Sequence, residues 1–356
     1  MLVLVFRQAV LAFGPCVLPI SPKVPTTPAA LMENGHFRQA EKMLEEAAQE
    51  GASDAETSWL LSRAKAALGE LETALELAER AVSADESNAA YRVQLAAVEG
   101  RMAEKASLFK QLGFAKRAKK ELDMALSLDP RNLDALYGLM LYYYAAPAFI
   151  GGDKRKAEEM AETMTGIDPA RGFLAQARLA KDRKDTAKEE EFYLKAIDAD
   201  PGFYEAKAAL SSFYLARPKL DAAREYACEA LAIDPAGAQA WKNLAELAAA
   251  DQCWTELDAI VSEAAESNSF DFLPYYGAAI TMLREGRMLA TAEAYLRRYV
   301  ARPPDANEPS LGFAHWQLAT VLEKLGHPVA AVEELTRAAG LDPSLEGAKR
   351  DLKRLK

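Results

Sequence analysis

The sequence predicts an all-α chain, a right-handed α-solenoid of about nine helix pairs that ends in a capping helix. Three observations lead there. Asp-Pro returns at Asp129-Pro130, Asp168-Pro169, Asp200-Pro201, Asp234-Pro235 and Asp342-Pro343, and each time it ends an apolar helical face. Between these stops, small and large apolar residues recur at fixed offsets, as stacked helix pairs need in order to approach closely and fill each other's grooves. The 356 residues are 50% hydrophobic and only 8% aromatic. They are rich in Ala, Leu, Glu and Lys, and runs of Val, Ile and Thr suited to strands are nearly absent.

Residues 1–20 are strongly apolar and have the look of a signal peptide, but Arg7 interrupts them and Gly14, Pro15 and Pro19 break a helix. A secretory signal, a membrane anchor, a mis-called start and a disordered leader all stay open on this pattern. Pro15 directly before Cys16 argues against a lipoprotein site. Residues 21–28 form a proline-rich linker, with Pro19, Pro22, Pro25 and Pro28 at steps that favour polyproline II and disfavour a helix before Ala29. The net charge of −10 and pI of 5.1 speak against a general nucleic-acid binder. Cys16, Cys228 and Cys253 are too few and too scattered for a disulfide framework and lack zinc-type pairing. No cofactor is expected. No later stretch reaches the ~18 apolar residues of a membrane span.

Residues 29–343 carry the repeats and residues 344–356 the capping helix, whose terminal Lys and Arg suit the helix dipole. The unit at 204–237 is complete: Leu210, Ser211 and Tyr214 on its first helix, then Ala223, Ala227 and Ala230 before Pro235. The following units give Trp241, Leu244, Ala245 and Ala264; then Tyr275, Ala278, Ala279, Gly286, Ala292, Leu296 and Pro304; then Leu318, Ala319, Gly326, Ala331, Leu335, Ala338 and Pro343. Earlier units give Leu136, Leu139, Met140, Tyr143 and Ala157; Phe109, Gly113, Ala118, Leu122 and Ala125; Leu61, Gly69, Ala74 and Ala81; and Gly35, Ala40, Leu44 and Ala47. The unit at 172–202 is short and has Glu189 where Ala is expected. The surplus length between Glu86 and Pro130 predicts one long first helix from about Ala89 to Gln111. An insertion, AAPAFIGGD, follows Tyr144, with Gly151 and Gly152 permitting positive φ and Asp153 placed to cap the next helix.

These units resemble the tetratricopeptide repeat family over nearly the whole chain after Ala29. The run from Tyr91 to Asp185, with VEGRMAEKASLF, AKRAKKELDMALSLDPRNLDALYGLMLYYYAAPAFIGGDKRKAEEMAETMTGIDP and GFLAQARLAKDRKD, looks closest to a group of bacterial envelope tetratricopeptide proteins of unassigned activity. The resemblance implies a bacterial protein that is periplasmic or secreted; a cytoplasmic location is the alternative.

No enzyme is expected. GxxxxGK[ST], GxGxxG after a strand, HExxH and GxSxG are absent. His36, His315 and His327 are isolated, and such histidines are usually surface or satisfied core residues. Ser62…Lys65 and Ser107…Lys110 match SxxK, but without the partner motifs of that chemistry. Gly151-Gly152 followed by Lys154 and Arg155 has the form of an anion-binding turn or of a plain tight loop.

The expected function is a non-enzymatic interaction scaffold that binds a partner peptide or helix in the groove lined by first helices. The alternative is an envelope protein that holds a small solute within the superhelix. Residues not spent on packing are Tyr137, Leu141, Tyr144, Lys242, Tyr276, Phe313 and Trp316, with Phe149 and Ile150 of the insertion as further walls. Tyr137, Leu141 and Tyr144 fall on one helix face. Arg101, Lys105, Lys110, Lys116, Arg117, Lys119 and Lys120 meet only Glu104 in sequence and form either a candidate basic docking patch for an acidic partner or anionic lipid, or a plain solvated face. A chaperone-type carboxylate clamp is not expected: Lys242 and Asn243 fit, but Glu246 replaces the next Asn, and Tyr276, Gly277 and Ile280 follow at the matching places.

Overall fold

The computed structural model describes residues 27–33, 35–49, 54–217, 219–267, 272–306 and 308–356. The leader and the linker up to residue 26 lie outside them. The described residues hold nineteen α-helices and no strand. In pairs they are α1 (Pro28–Glu33) and α2 (Phe37–Gln49), α3 (Ala55–Ala67) and α4 (Leu71–Ala84), α5 (Ala89–Lys105) and α6 (Leu108–Leu128), α7 (Leu133–Ala145) and α8 (Lys154–Ile167), and α9 (Pro169–Asp182) and α10 (Thr186–Ala199). There follow α11 (Tyr204–Leu215) and α12 (Leu220–Ile233), α13 (Ala238–Ala250) and α14 (Trp254–Ser267), α15 (Leu273–Glu285) and α16 (Leu289–Val300), and α17 (Leu311–Lys324) and α18 (Pro328–Leu341). The last is the cap, α19 (Glu346–Leu355). Each helix packs on the next in chain order, and α13 lies directly against α15. This is the predicted all-α repeat superhelix with its nine pairs and cap.

The Asp-Pro stops work by local chemistry. Proline excludes its predecessor from helical backbone, and Asp129, Asp200, Asp234 and Asp342 all have extended dihedrals at a helix C-terminus. Each carboxylate then accepts the N–H two residues on, from Arg131, Gly202, Ala236 and Ser344 at 2.8–3.1 Å, which turns the chain toward the next unit. Asp168 does more: it ends α8 and caps α9 by accepting from the Arg171 N–H at 3.0 Å. With Pro169 as the first residue of α9, no loop separates the two helices, which is why this unit is short. The joint is tight: a Cβ on Gly172 would lie 2.2 Å from the Thr165 backbone.

The small residues sit where the helices cross. Ala74, Ala81, Ala125, Ala157, Ala223, Ala227, Ala230, Ala292, Ala331 and Ala338 are all fully buried. A polar element repeats beside them. The Ser62 hydroxyl donates to the Ala74 carbonyl at 2.8 Å, and Ser211 donates to Ala223 at 2.7 Å. The next unit's amide then donates to each serine, Gln94 to Ser62 at 3.0 Å and Asn243 to Ser211 at 3.0 Å. Buried hydroxyls are thus fully used. Ser62 is therefore a packing residue, and Lys65, its SxxK companion, is held instead by Glu41, Glu45 and Glu70 at 2.6, 2.7 and 3.1 Å.

The expectation of one long helix from Ala89 to Gln111 is corrected. α5 stops at Lys105, and the surplus is shared with α6, which runs from Leu108 to Leu128. Ala106 adopts extended backbone and Ser107 starts the next helix. The two helices form a longer antiparallel hairpin. The glycine expected to pack, Gly113, is exposed and has open space around it, because that part of α6 lies beyond the crossing. The capping helix is also less solvated than expected: Ala348 is buried, and Leu352 and Leu355 pack on the core.

Candidate functional site

Leu136, Leu139 and Met140 are buried, and Tyr137, Leu141 and Tyr144 are half-buried, resting on the edge of the α7–α9 core. The insertion that follows is a short 3₁₀ turn, Ala148–Ile150. The Tyr142 hydroxyl donates to the Ile150 carbonyl, and the Asp153 N–H donates to the Tyr143 carbonyl at 2.8 Å. Gly151 takes a φ of 103°. Asp153 caps α8 by accepting from the Arg155 and Lys156 N–H groups at 3.0 and 3.4 Å. These amides are already used, so the turn is a loop closure and not an anion cradle. Phe149 projects outward, 77% exposed. The group over the Tyr144 ring is the Lys154 ammonium, 5.3 Å from its centroid.

Other expected groove residues are spent on packing. Tyr276 is a core residue, 6% exposed, with its ring 5.0 Å from that of Tyr299. The side-chain-free Gly277 brings α15 against α13 there; a Cβ on it would meet Lys242 at 2.9 Å. Lys242 pairs with Glu246 at 2.6 Å. Asn243 is fully buried, and its amide donates to Ser211, Ser212 and the Ala208 carbonyl. Phe313 and Trp316 meet edge to face, and the Trp316 indole donates to Asp351 of α19 at 2.8 Å, so the cap holds the tryptophan.

The basic patch divides. Arg101 donates to the Ala66 carbonyl, Arg117 pairs with Glu99 at 2.8 Å, and Lys119 pairs with Asp123 at 2.6 Å. The opposing charges come from across the hairpin and one turn along α6, not from Glu104. Lys105, Lys110, Lys116 and Lys120 are exposed. The pair on Glu99 is strained electrostatically. Its Oε2 is buried without a hydrogen bond, and burial, opposed by Arg117, pushes its pKa up to about 7.

One cavity had no counterpart among the residues expected from sequence. About 640 Å³ opens between α10 and α11, with Lys181 of α9 and Gln239 of α13 at its edges. Its floor includes Ala208 and Phe213, and its rim Lys181, Lys184, Tyr204 and Gln239. Glu189, the misfit at a small-residue position, is its organiser. The carboxylate is buried between the Tyr193 hydroxyl at 3.5 Å and Arg217 at 3.4 Å. Arg217 in turn lies 3.5 Å over the Phe213 ring. Burial, reinforced by Glu189, lifts the Tyr193 phenol to about 12. The departure at Glu189 was the sequence signal that could have located this site.

His315 and Glu334 form a buried contact at 2.5 Å between α17 and α18. Among the described residues no cluster of His, Cys, Asp and Glu is arranged for a metal, and no helix is long and apolar enough to cross a membrane.

No family model and no curated protein match the sequence. Solved structures do. TTC0263, a thermophilic tetratricopeptide protein of Thermus thermophilus, is 21% identical and covers 53% of this chain and 95% of its own, with a TM-score of 0.47. A tetratricopeptide repeat protein from Parabacteroides merdae is 16% identical, covers 85% and 98%, and has a TM-score of 0.44. Yeast Tom70 is 15% identical and covers 92% of this chain and 86% of its own, with a TM-score of 0.51. The repeated pairs and the likeness to Tom70 together give this chain the fold of the tetratricopeptide solenoids.

Proposed function

We propose that the chain is a non-enzymatic scaffold that holds an extended segment or helix of a protein partner along its first helices. The observation that carries this reading is the set of partly covered side chains from Tyr137, Leu141 and Tyr144 on α7 to the open cavity between α10 and α11, edged by α9 and α13. Aromatic groups at the edge of a rigid groove are the usual anchors of such interfaces, and Phe149 adds an exposed ring next to the stripe. Lys105, Lys110, Lys116 and Lys120 on the α5–α6 hairpin give an acidic partner a point of electrostatic approach. The test is affinity capture from the native source with wild type and Tyr144→Ala. Loss of one protein from the variant's captured set supports the reading; an unchanged set refutes this anchor.

A second reading has one observation in its favour. The cavity volume falls in the range of small-molecule sites, roughly 300–1,000 Å³. A solute that co-purifies with wild type and is lost on Arg217→Ala would select it. We also propose export, on the apolar leader; the intact mass of natively expressed protein tests it, and recovery of the full leader would refute cleavage.

A further inference from the structure

A solenoid ordinarily touches only its neighbours in the stack. Here the first pair also touches the loop after the eighth. That loop, residues 301–310, is long for this array; α12 and α13, for comparison, are separated only by residues 234–237. It carries Pro303, Pro304 and Pro309, and its described residues make contacts of their own. The Tyr299 hydroxyl donates to the Pro309 carbonyl at 2.6 Å, the Asp305 N–H donates to Glu308 at 2.9 Å, and the Arg302 guanidinium lies 3.1 Å over the Phe272 ring.

Two groups of this loop meet the start of α2. The Arg38 Nε donates to the Pro304 carbonyl at 2.8 Å. The Asp305 carboxylate accepts from the Arg38 N–H at 3.5 Å and also from the Phe37 N–H. Phe37 and Arg38 are the first two residues of α2, whose opening amides have no partner within the helix. The first turn of α2 has no acidic residue. Asp305 thus serves as an N-cap supplied from the other end of the array, where a carboxylate also suits the helix dipole. The anchored unit is small: α1 spans only Pro28–Glu33, and its cluster holds Leu31, Met32, Ala40, Leu44, Leu60 and Ala64.

We propose that Asp305 and Arg38 form a releasable clasp that closes the first unit onto the eighth and so regulates entry to the groove between them. Closure makes the stacked array a continuous loop of contacts. A partner segment then enters by threading a free end or by opening the clasp. A few part-buried hydrogen bonds shift such an equilibrium by about ten- to a hundredfold, enough to hold the array closed and still let a bound partner open it. The regulatory role rests on the groove reading above; the clasp itself does not.

The experiment needs no partner. Full-length wild type, Arg38→Ala, Asp305→Ala and the control Lys353→Ala on the capping helix are compared by hydrogen exchange and small-angle X-ray scattering. Release should raise exchange at the α2 opening amides by about tenfold or more, enlarge the radius of gyration, and leave protection over α11–α13 unchanged. Unchanged exchange and unchanged radius in both clasp variants would overturn the clasp. Loss of protection over α11–α13 would overturn it too, because the contact would then be a general stabiliser. Failure of Tyr144→Ala to alter capture would overturn the groove reading alone.

Discussion

The two halves of the array are built alike and packed differently. From Ala177 onward most buried apolar side chains form one continuous cluster that reaches Ala348 in the cap. Before it, the core divides into four smaller clusters, around Leu31, Val98, Leu122 and Met140. The difference lies in what fills the space between helices. The later units use large rings and branched chains: Trp241, Tyr275, Tyr299, Leu318 and Leu322 are all nearly inaccessible. The Trp241 indole donates to the Pro235 carbonyl at 2.8 Å, so even its polar atom ties one unit to the next. The earlier units hold fewer such rings and carry paired charges, as the later units also do at Glu189–Arg217 and His315–Glu334. Arg92 meets Glu121 at 2.7 Å and Arg117 meets Glu99 at 2.8 Å across the α5–α6 hairpin. Burial alone would lower the Lys65 ammonium, but its three glutamates hold it above the usual lysine range. Buried ion pairs return little net stability, because desolvation offsets the attraction. Apolar contact gives about 25 cal/mol per Å² removed from water. The comparison teaches that one repeat pattern can yield a continuous core or a segmented one, and the segmented half is the one expected to open locally.

The sharpest way to break the comparison is Trp241→Ala. In a continuous core it should cost about 3–5 kcal/mol and bring α11–α15 down together in a urea titration followed by hydrogen exchange. A loss confined to α13 would show that the later half is segmented too. Ala223→Leu should cost about 1–3 kcal/mol, since added methylenes at a fully buried crossing force α11 and α12 apart. An unchanged urea midpoint would contradict that register.

Tyr144→Ala sharpens the other side. A half-buried ring over a small cluster should change the melting temperature little while weakening partner capture by ~1–2 kcal/mol. A fall in melting temperature with capture intact would make Tyr144 a core residue.

The smallest expected effect is at Glu99. Its native pKa, about 7, lies above the ordinary 4.5, so the folded state binds the proton more tightly than the unfolded chain. Its contribution is therefore fully present below about 4.5 and is lost as pH rises to about 7. Glu99→Gln should flatten the stability profile across that window and leave it unchanged outside; an unaltered slope would mean that the hairpin hydrates its buried carboxylate.

Much of this was legible beforehand, for a physical reason that particular residues make plain. The Asp-Pro stops, the cap at Asp153 and the alanines at helix crossings act within one turn or one unit. Local chain order therefore encodes them directly. The α7 stripe was readable for the same reason, since i, i+4 and i+7 share a face whatever lies beyond. Tyr276, Lys242 and Trp316 were not. Each was placed in the groove by register, but Tyr299, Gly277 and the cap residue Asp351 decide whether that position stays open. Only packing brings α16 to Tyr276, α15 to Lys242 and α19 to Trp316. The cavity organised by Glu189 and Arg217 needs three units at once. The contact of Arg38 with Pro304 and Asp305 needs the curvature of eight. The sequence by itself determined the repeat, its stops and its small-residue seams, because those are local steric and hydrogen-bonding rules. Tertiary structure alone decided which side chains remain available and which ends meet, because small rotations between successive pairs accumulate over the whole array.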